Sequence, residues 1–213
     1  MPAKTLATSD DPLGLADGTT IILLSHDPAD VQDAIETQNE SVEFIDADAV
    51  KPRTEHSVEY ELASGSHAFT MNAPMNTGYL ITSLSINQSN SSKVRVSATI
   101  VEPSAAAKIL TTTSKTVTVV GGIGIQNLFG ITTSACVLSC NGTISGATLE
   151  ALQSDGLDYC AAGLATYGLK KTVTAEAYGA MTKPAGGFAT SISAPKKSNT
   201  GFDIHSLSFF IPV

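Results

Sequence analysis

Residues 116–130, TVTVVGGIGIQNLFG, could bind a phosphate because a β-like run opens there into a cluster of glycines. Dinucleotide-binding domains hold a pyrophosphate with the fingerprint G-x-G-x-x-G between a strand and a helix, where the glycines let the backbone approach the phosphates. Gly122 and Gly124 fit the first two positions, but Asn127 stands at the third, and an alternating β-branched pattern follows. The sequence therefore favours a glycine-rich bend between β-strands, and no cofactor is predicted.

The cysteines and the acidic clusters do not match a known site. An odd number of cysteines without a CxxC pair fits neither a disulfide framework nor a zinc site. Alternation in SACVLSC predicts that Cys136, Leu138 and Cys140 share one face of a strand, and cysteines in such positions are usually buried free thiols. Asp46 and Asp48 have the ligand type for Ca²⁺, but no D-x-[DN]-x-[DN]-G loop surrounds them. No metal ligand is therefore predicted.

The histidines and serines also lack a catalytic arrangement. His56 and His205 lie in alternating runs beside polar neighbours, a pattern that favours solvated positions on strands, and the other two histidines, His26 and His67, are distant in sequence. No serine stands in G-x-S-x-G or S-x-x-K with a visible partner. We therefore predict no catalytic residue and expect that the chain is not an enzyme.

The composition indicates which structural elements must build the chain. Its 213 residues are enough for one large or two small domains, and 42% are apolar, but only 6% are aromatic and none is Trp. A core of small and β-branched side chains favours sheet over helical bundle. A formal net charge of −8 argues against a nucleic-acid partner, which normally requires a basic surface. The longest apolar run, IILLS, is too short to span a membrane.

Period-two alternation predicts antiparallel strands along most of the chain. It is clearest in HSVEYEL, KVRVSATIV, KTVTAEAY and SLSFFIPV, which are separated by turn-forming segments at the spacing typical of a sandwich or barrel. Two short helices are also predicted. One is HDPADVQDAIETQ, with Asp27 as N-cap and Pro28 at the first helical position, and the other is GATLEALQSDG.

An internal repeat divides the chain. The segments that begin at Met71 and Met181 share M-x-x-P, then Gly with an aromatic residue, then T-S-[LI]-S, then S-N, and each lies between two alternating strands. We therefore predict an all-β protein of two tandem, related antiparallel β-sandwich or barrel-like domains with one or two short helices. The predicted parts are a flexible N-terminal arm (1–18), β-domain 1 (19–103), a linker (104–115) and β-domain 2 (116–213), with the strand at 116–120 opening the second domain.

The C-terminal end is the candidate assembly surface. Consecutive apolar residues at Phe209, Phe210 and Ile211 point to both sides of a strand, so at least one face must be covered by the other domain or by a neighbouring subunit. A homo-oligomer is the expected state.

The segment GYLITSLSINQSNSSKVRVSATIVEP, about a quarter of the chain together with its second copy, resembles β-domains of bacteriophage virion proteins of the tail and head-to-tail connector type. The resemblance implies a structural component of a virus particle, such as a capsid decoration, neck or tail protein. It would be made in the host cytoplasm without a signal peptide or transmembrane segment, and it would contact itself and other virion proteins. A carbohydrate-binding or adhesin-like surface module is the alternative, and an enzyme with an unrecognised site on a β-scaffold is a third hypothesis.

Overall fold

The fold is known from a computed structural model, which describes residues 11–38, 44–71, 79–103, 115–133, 136–152, 159–193, 196–197 and 203–213. All regular secondary structure in these ranges is β, so the predicted all-β class is confirmed. The strands are β1 (Ile21–Gln38), β2 (Phe44–Leu62), β3 (Ser66–Met71), β4 (Leu80–Asn87), β5 (Val94–Pro103), β6 (Lys115–Val120), β7 (Thr132–Thr133), β8 (Cys136–Leu152), β9 (Tyr159–Tyr178), β10 (Met181–Thr182), β11 (Phe188–Ile192), β12 (Lys196–Lys197) and β13 (Asp203–Pro212).

The helix predicted from Asp27 is wrong, because these residues lie in β1, which pairs antiparallel with β2 along its whole length. Helical spacing is a local signal, and the hydrogen bonds of a long hairpin override it. Pro28 is tolerated because β1 is an edge strand. Of the second predicted helix, the residues up to Leu152 lie in β8, and the others lie outside the described residues.

Nine strands form one antiparallel sheet in the order β1-β2-β5-β4-β8-β9-β13-β11, with β12 paired to β13. Two small sheets accompany it, β3 with β6 and β7 with β10. Residues 116–120 are a strand, as predicted, and their partner is β3 from the first half of the chain. Both halves thus contribute to one continuous large sheet, and the division into two domains stays a prediction.

The same arrangement of strands occurs twice in the large sheet. In the first half, a long hairpin (β1-β2) is followed by a short hairpin (β4-β5) whose second strand inserts beside β2. In the second half, β8-β9 and β11-β13 have the same relation. The repeated T-S-[LI]-S segments lie in equivalent places, at 82–85 in and around β4 and at 190–193 in and around β11.

The irregularities of the strands recur as well. β1 has register shifts at Leu24 and Gln32, and β8 has them 114 residues further along (138 − 24 and 146 − 32), at Leu138 and Gly146. The second shift faces a left-handed residue on the partner strand in both halves: Lys51 with φ 54° and Gly168 with φ 61°. The short hairpins also share a shift, at Thr82 and at Thr190. Shared backbone irregularities make the two halves equivalent position by position.

Two apolar clusters form the core. The larger one lies mainly in the first half and includes the fully buried side chains of Tyr60 and Phe69. The smaller one lies in the second half, and its members are Ile131, Cys140, Val173, Ala175, Leu207 and Phe209. Phe129 packs against both clusters, and its ring needs the space at Gly142, where an added Cβ would lie 2.8 Å from it. The two halves are therefore packed together as well as paired.

The segment before β1 is attached to the sheet at Asp11. The carboxylate of Asp11 accepts hydrogen bonds from the backbone N–H groups of Leu13 and Ala16, at 3.0 and 2.7 Å, and from the hydroxyl of Tyr60. Leu13 is buried in the larger cluster. Residues 11–16 of the predicted arm are therefore attached to the protein, whereas residues 1–10 and the linker residues 104–114 lie outside the described residues.

Candidate functional site

β11 forms one edge of the large sheet and presents apolar side chains to solvent. All of its residues are exposed, Phe188 to 57% and Ile192 to 73%. The ring of Phe188 stacks on Phe210 of β13, with 5.1 Å between the ring centroids. Among the described strands, β11 pairs with β13 alone, so its outer N–H and C=O groups have no ladder partner. A strand edge with exposed apolar side chains is suited to accept a further strand.

The three residues predicted as an assembly surface divide between the two faces of β13. Phe209 is fully buried in the smaller cluster, so its face is covered within the chain. Phe210 points to the opposite face, where it is half-buried beside Phe188, and Ile211 is also half-buried. Sequence reasoning did not identify Phe188 and Ile192, although the second copy of the repeat contains both and could have marked their strand.

β1 forms the opposite edge of the sheet and is acidic. Asp27 and Asp30 are exposed on it. Asp33 contacts Lys51 at 3.2 Å and Arg53 at 3.1 Å, and hydrogen bonds from these cations hold its pKa below the ordinary value. Lys51 and Arg53 are the only basic residues between positions 21 and 62. Since both are engaged with Asp33, the edge keeps an excess of negative charge.

Two ribbons extend from the nine-stranded sheet. β2 pairs with β5 only from Arg53 onwards, so among the described strands residues 44–52 pair with β1 alone. In the second half, β9 pairs with β13 only from Lys170 onwards, and of the described strands only β8 pairs with its residues before Leu169. Two-stranded ribbons have little stability of their own in water. Contacts with a neighbouring molecule would stabilise them.

Two histidines meet where the β1–β2 ribbon joins the sheet. His26 Nε2 and His56 Nδ1 are 2.9 Å apart, and the other side of His56 faces Glu102 with 3.5 Å between Nε2 and Oε2. Tyr79 packs edge-on against His56. The expectation that His56 is solvated is wrong, since only 6% of it is exposed. The alternating run HSVEYEL places His56 on the same face as Val58, and that face is the core.

We expect the protein to lose stability as the pH falls below about 6.5, the ordinary pKa of histidine. Burial lowers the pKa of His56, an effect that Glu102 only partly opposes. Above this pH His56 is neutral in both states. Below it His56 is protonated in the unfolded chain and stays neutral in the folded one. The free energy of unfolding therefore falls as the pH approaches the folded-state pKa. Urea unfolding between pH 8 and 5.5 should show a free energy of unfolding that falls toward the acidic end.

The variant His56→Gln should flatten this pH dependence because its side chain stays neutral. His205→Gln in β13 is the matched control and should keep the dependence of the wild type. An unchanged profile in His56→Gln would mean that another group is responsible.

The glycine-rich loop after β6 is built into the sheet. Gly122 N donates to Leu62 O at 3.0 Å and Gly124 N donates to Ser92 O at 2.9 Å. The backbone N–H groups of Gln126 and Asn127 donate to the side-chain oxygen of Gln88, at 3.0 and 2.8 Å. Phosphate-binding loops leave such N–H groups open toward the ligand. The geometry here supports the prediction of a structural bend.

Asn127, at the third position of the fingerprint, fixes the loop to its preceding strand. Its side-chain oxygen accepts a hydrogen bond from Val120 N at 3.2 Å, and its side-chain nitrogen donates to Val120 O at 3.1 Å. The side chain of Gln88 connects Asn127 to β8, because its Nε2 donates to Asn127 O and to Cys140 O. The loop therefore links the two halves of the sheet.

The cysteines Cys136 and Cys140 are free thiols on opposite faces of β8. Cys140 is fully buried, and burial raises the pKa of its thiol to about 12, so the thiol is unreactive. Cys136 is exposed, which corrects the prediction that both lie on one face. The register shift at Leu138 reverses the alternation between them. The side chain of Cys160 lies outside the described residues.

In the described ranges no group of three or more His, Cys, Asp or Glu side chains is placed to hold a metal ion. The same ranges contain no helix of the length and apolarity that crossing a membrane requires. No protein-family model matches the chain, and a search of curated proteins finds no similar sequence.

Proposed function

We propose that this chain is a non-enzymatic structural protein that self-assembles, and that it serves as a component of a bacteriophage virion. The observation that carries self-assembly is the open β11 edge with exposed Phe188 and Ile192. An apolar strand edge promotes association unless it is covered, because its backbone groups and side chains both gain from a partner. The ribbons and the acidic β1 edge support the same interpretation.

We also propose that the two halves of the sheet are related by duplication and form two tandem units. The shared strand order and the shared register shifts support this, as does the left-handed backbone at both Lys51 and Gly168. A glycine has no steric penalty in this conformation, and a lysine does. The persistence of the conformation at Lys51 is the expected trace of a common ancestral hairpin.

Sedimentation velocity over a range of protein concentrations tests self-assembly. We expect oligomers whose fraction rises with concentration, and electron microscopy should show ordered particles, rings or filaments. A strict monomer at high concentration would overturn self-assembly. Binding to a glycan array by such a monomer would favour the carbohydrate-binding alternative.

The virion assignment has its own test, which is the genomic neighbourhood of the coding sequence. We expect neighbouring genes for terminase, portal and tail proteins. A neighbourhood of secretion or surface-adhesion genes would contradict the assignment and leave the measured self-assembly untouched. Location in the virion, with other virion proteins as neighbours, follows from this assignment.

A further inference from the structure

The large sheet contains an internal junction between its two halves. β4 of the first half pairs antiparallel with β8 of the second, with Ser83 opposite Ser145 and Ser85 opposite Thr143. The hydroxyl oxygens of Ser85 and Thr143 are 3.3 Å apart. This junction shows how the two units add to each other edge to edge.

Among the described strands, β1 and β11 are the two edge strands of the sheet, and they are the counterparts of the two strands in that junction. β11 corresponds to β4, because both hold the T-S-[LI]-S segment and both shift register at its threonine. β1 corresponds to β8, because both carry the same pair of register shifts. The two edges of the sheet are therefore formed by one copy of each strand type that pairs at the centre of the sheet.

We propose that β11 of one molecule pairs with β1 of a second copy, repeating the β4–β8 junction between molecules. This inference rests on the proposed self-assembly and specifies its contact. The correspondence sets the register: Ser193 occupies the place of Ser85, and Ala29 of the second copy occupies the place of Thr143. Ile192, which is 73% exposed in the single chain, then becomes part of the new junction.

The distribution of charge favours this head-to-tail contact. Residues 1–103 contain 15 acidic and five basic residues, whereas residues 104–213 contain five acidic and seven basic ones. Asp27 and Asp30 are exposed at the β1 edge, and Lys196, three residues after Ser193, is exposed near the β11 edge. Opposite ends attract and two β1 edges repel each other, so the contact is heterologous and produces rings or filaments.

Pro28 makes the contact between molecules weaker than the junction within the chain. Cys140 N donates across the junction to Gln88 O, so Gly142 N, two residues on, faces the same way. Pro28 occupies the place of Gly142 and has no N–H to donate. The loss of one donor removes one ladder hydrogen bond from the contact, and the other backbone groups at this edge of β1 can still pair.

A disulfide between molecules tests the register directly. The Ser85–Thr143 pair does not share backbone hydrogen bonds, and in such pairs the Cα atoms lie about 4.5 Å apart, within the range that a disulfide spans. In a background with Cys136 and Cys160 replaced by Ser, we expect that mixed Ala29→Cys and Ser193→Cys proteins give a covalent dimer on oxidation. The double variant should give a ladder of covalent oligomers.

Two controls accompany this experiment. Ser85→Cys with Thr143→Cys should close a disulfide within one chain, which calibrates the geometry and the oxidation. Thr118→Cys, exposed in β6, mixed with Ala29→Cys should give no dimer. If the protein assembles in sedimentation but the Ala29–Ser193 link fails while the internal link forms, this contact is wrong and self-assembly stands. If the protein is a monomer, the proposed contact and the proposed self-assembly are both wrong.

Discussion

Phe209→Ala is expected to destabilise the protein by about 3–5 kcal/mol, the cost typical of emptying a buried aromatic site. Phe209 is fully buried in the smaller cluster, where it lies with Val173 of β9 and Leu207 of β13. That cluster has few members, so little surrounding material can relax into the cavity. Chemical denaturation at low protein concentration, where association is weakest, measures the loss.

The neighbouring substitution Phe210→Ala is the matched control, because it removes the same ring from the other face of β13. It loses the stacking contact with Phe188, which is worth about 1 kcal/mol. We expect its folding to stay near that of the wild type and its assembly to weaken. A larger loss of stability in Phe210→Ala than in Phe209→Ala would contradict the placement of these two rings.

Gln88→Leu is expected to lower the free energy of unfolding by about 3–5 kcal/mol, because it leaves several buried polar groups without partners. Only 2% of Gln88 is exposed, and its amide makes hydrogen bonds to Asn127 O at 2.8 Å and to Cys140 O at 2.7 Å. Its oxygen also accepts from the amides of Gln126 and Asn127. Each unsatisfied group costs about 1–3 kcal/mol, and these costs are partly shared within one network.

Gln126→Leu is the appropriate control for this prediction. The side chain of Gln126 is exposed and bonds the nearby Ile123 O at 2.6 Å, so its loss should change stability by less than about 1 kcal/mol. Hydrogen exchange adds a local measurement: in Gln88→Leu the amides of Gln126 and Asn127 should lose protection first. Equal stability of the two variants would mean that the loop does not depend on Gln88.

The candidate site was only partly predictable from the sequence. Phe210 could be predicted as part of the assembly surface because consecutive apolar residues in one strand must point to both faces. Phe188 could not, because its exposure depends on β11 being the last strand of the sheet, and strand order is a property of the fold. His56 was misplaced for a similar reason: Glu55 and Ser57 beside it in sequence are polar, but the residues paired with it across the sheet, Pro28 and Ile100, are apolar.

The sequence by itself determined the all-β class, the positions of the clearest alternating strands and the repeat, because alternation and turn residues are local properties that one chain displays directly. Only the tertiary structure decided that β1 is a strand, that Leu138 reverses the faces of β8 and that β6 pairs with β3. Each of these depends on hydrogen bonds between residues far apart in sequence. Such pairing overrides helical spacing and inserts bulges that no period-two pattern encodes.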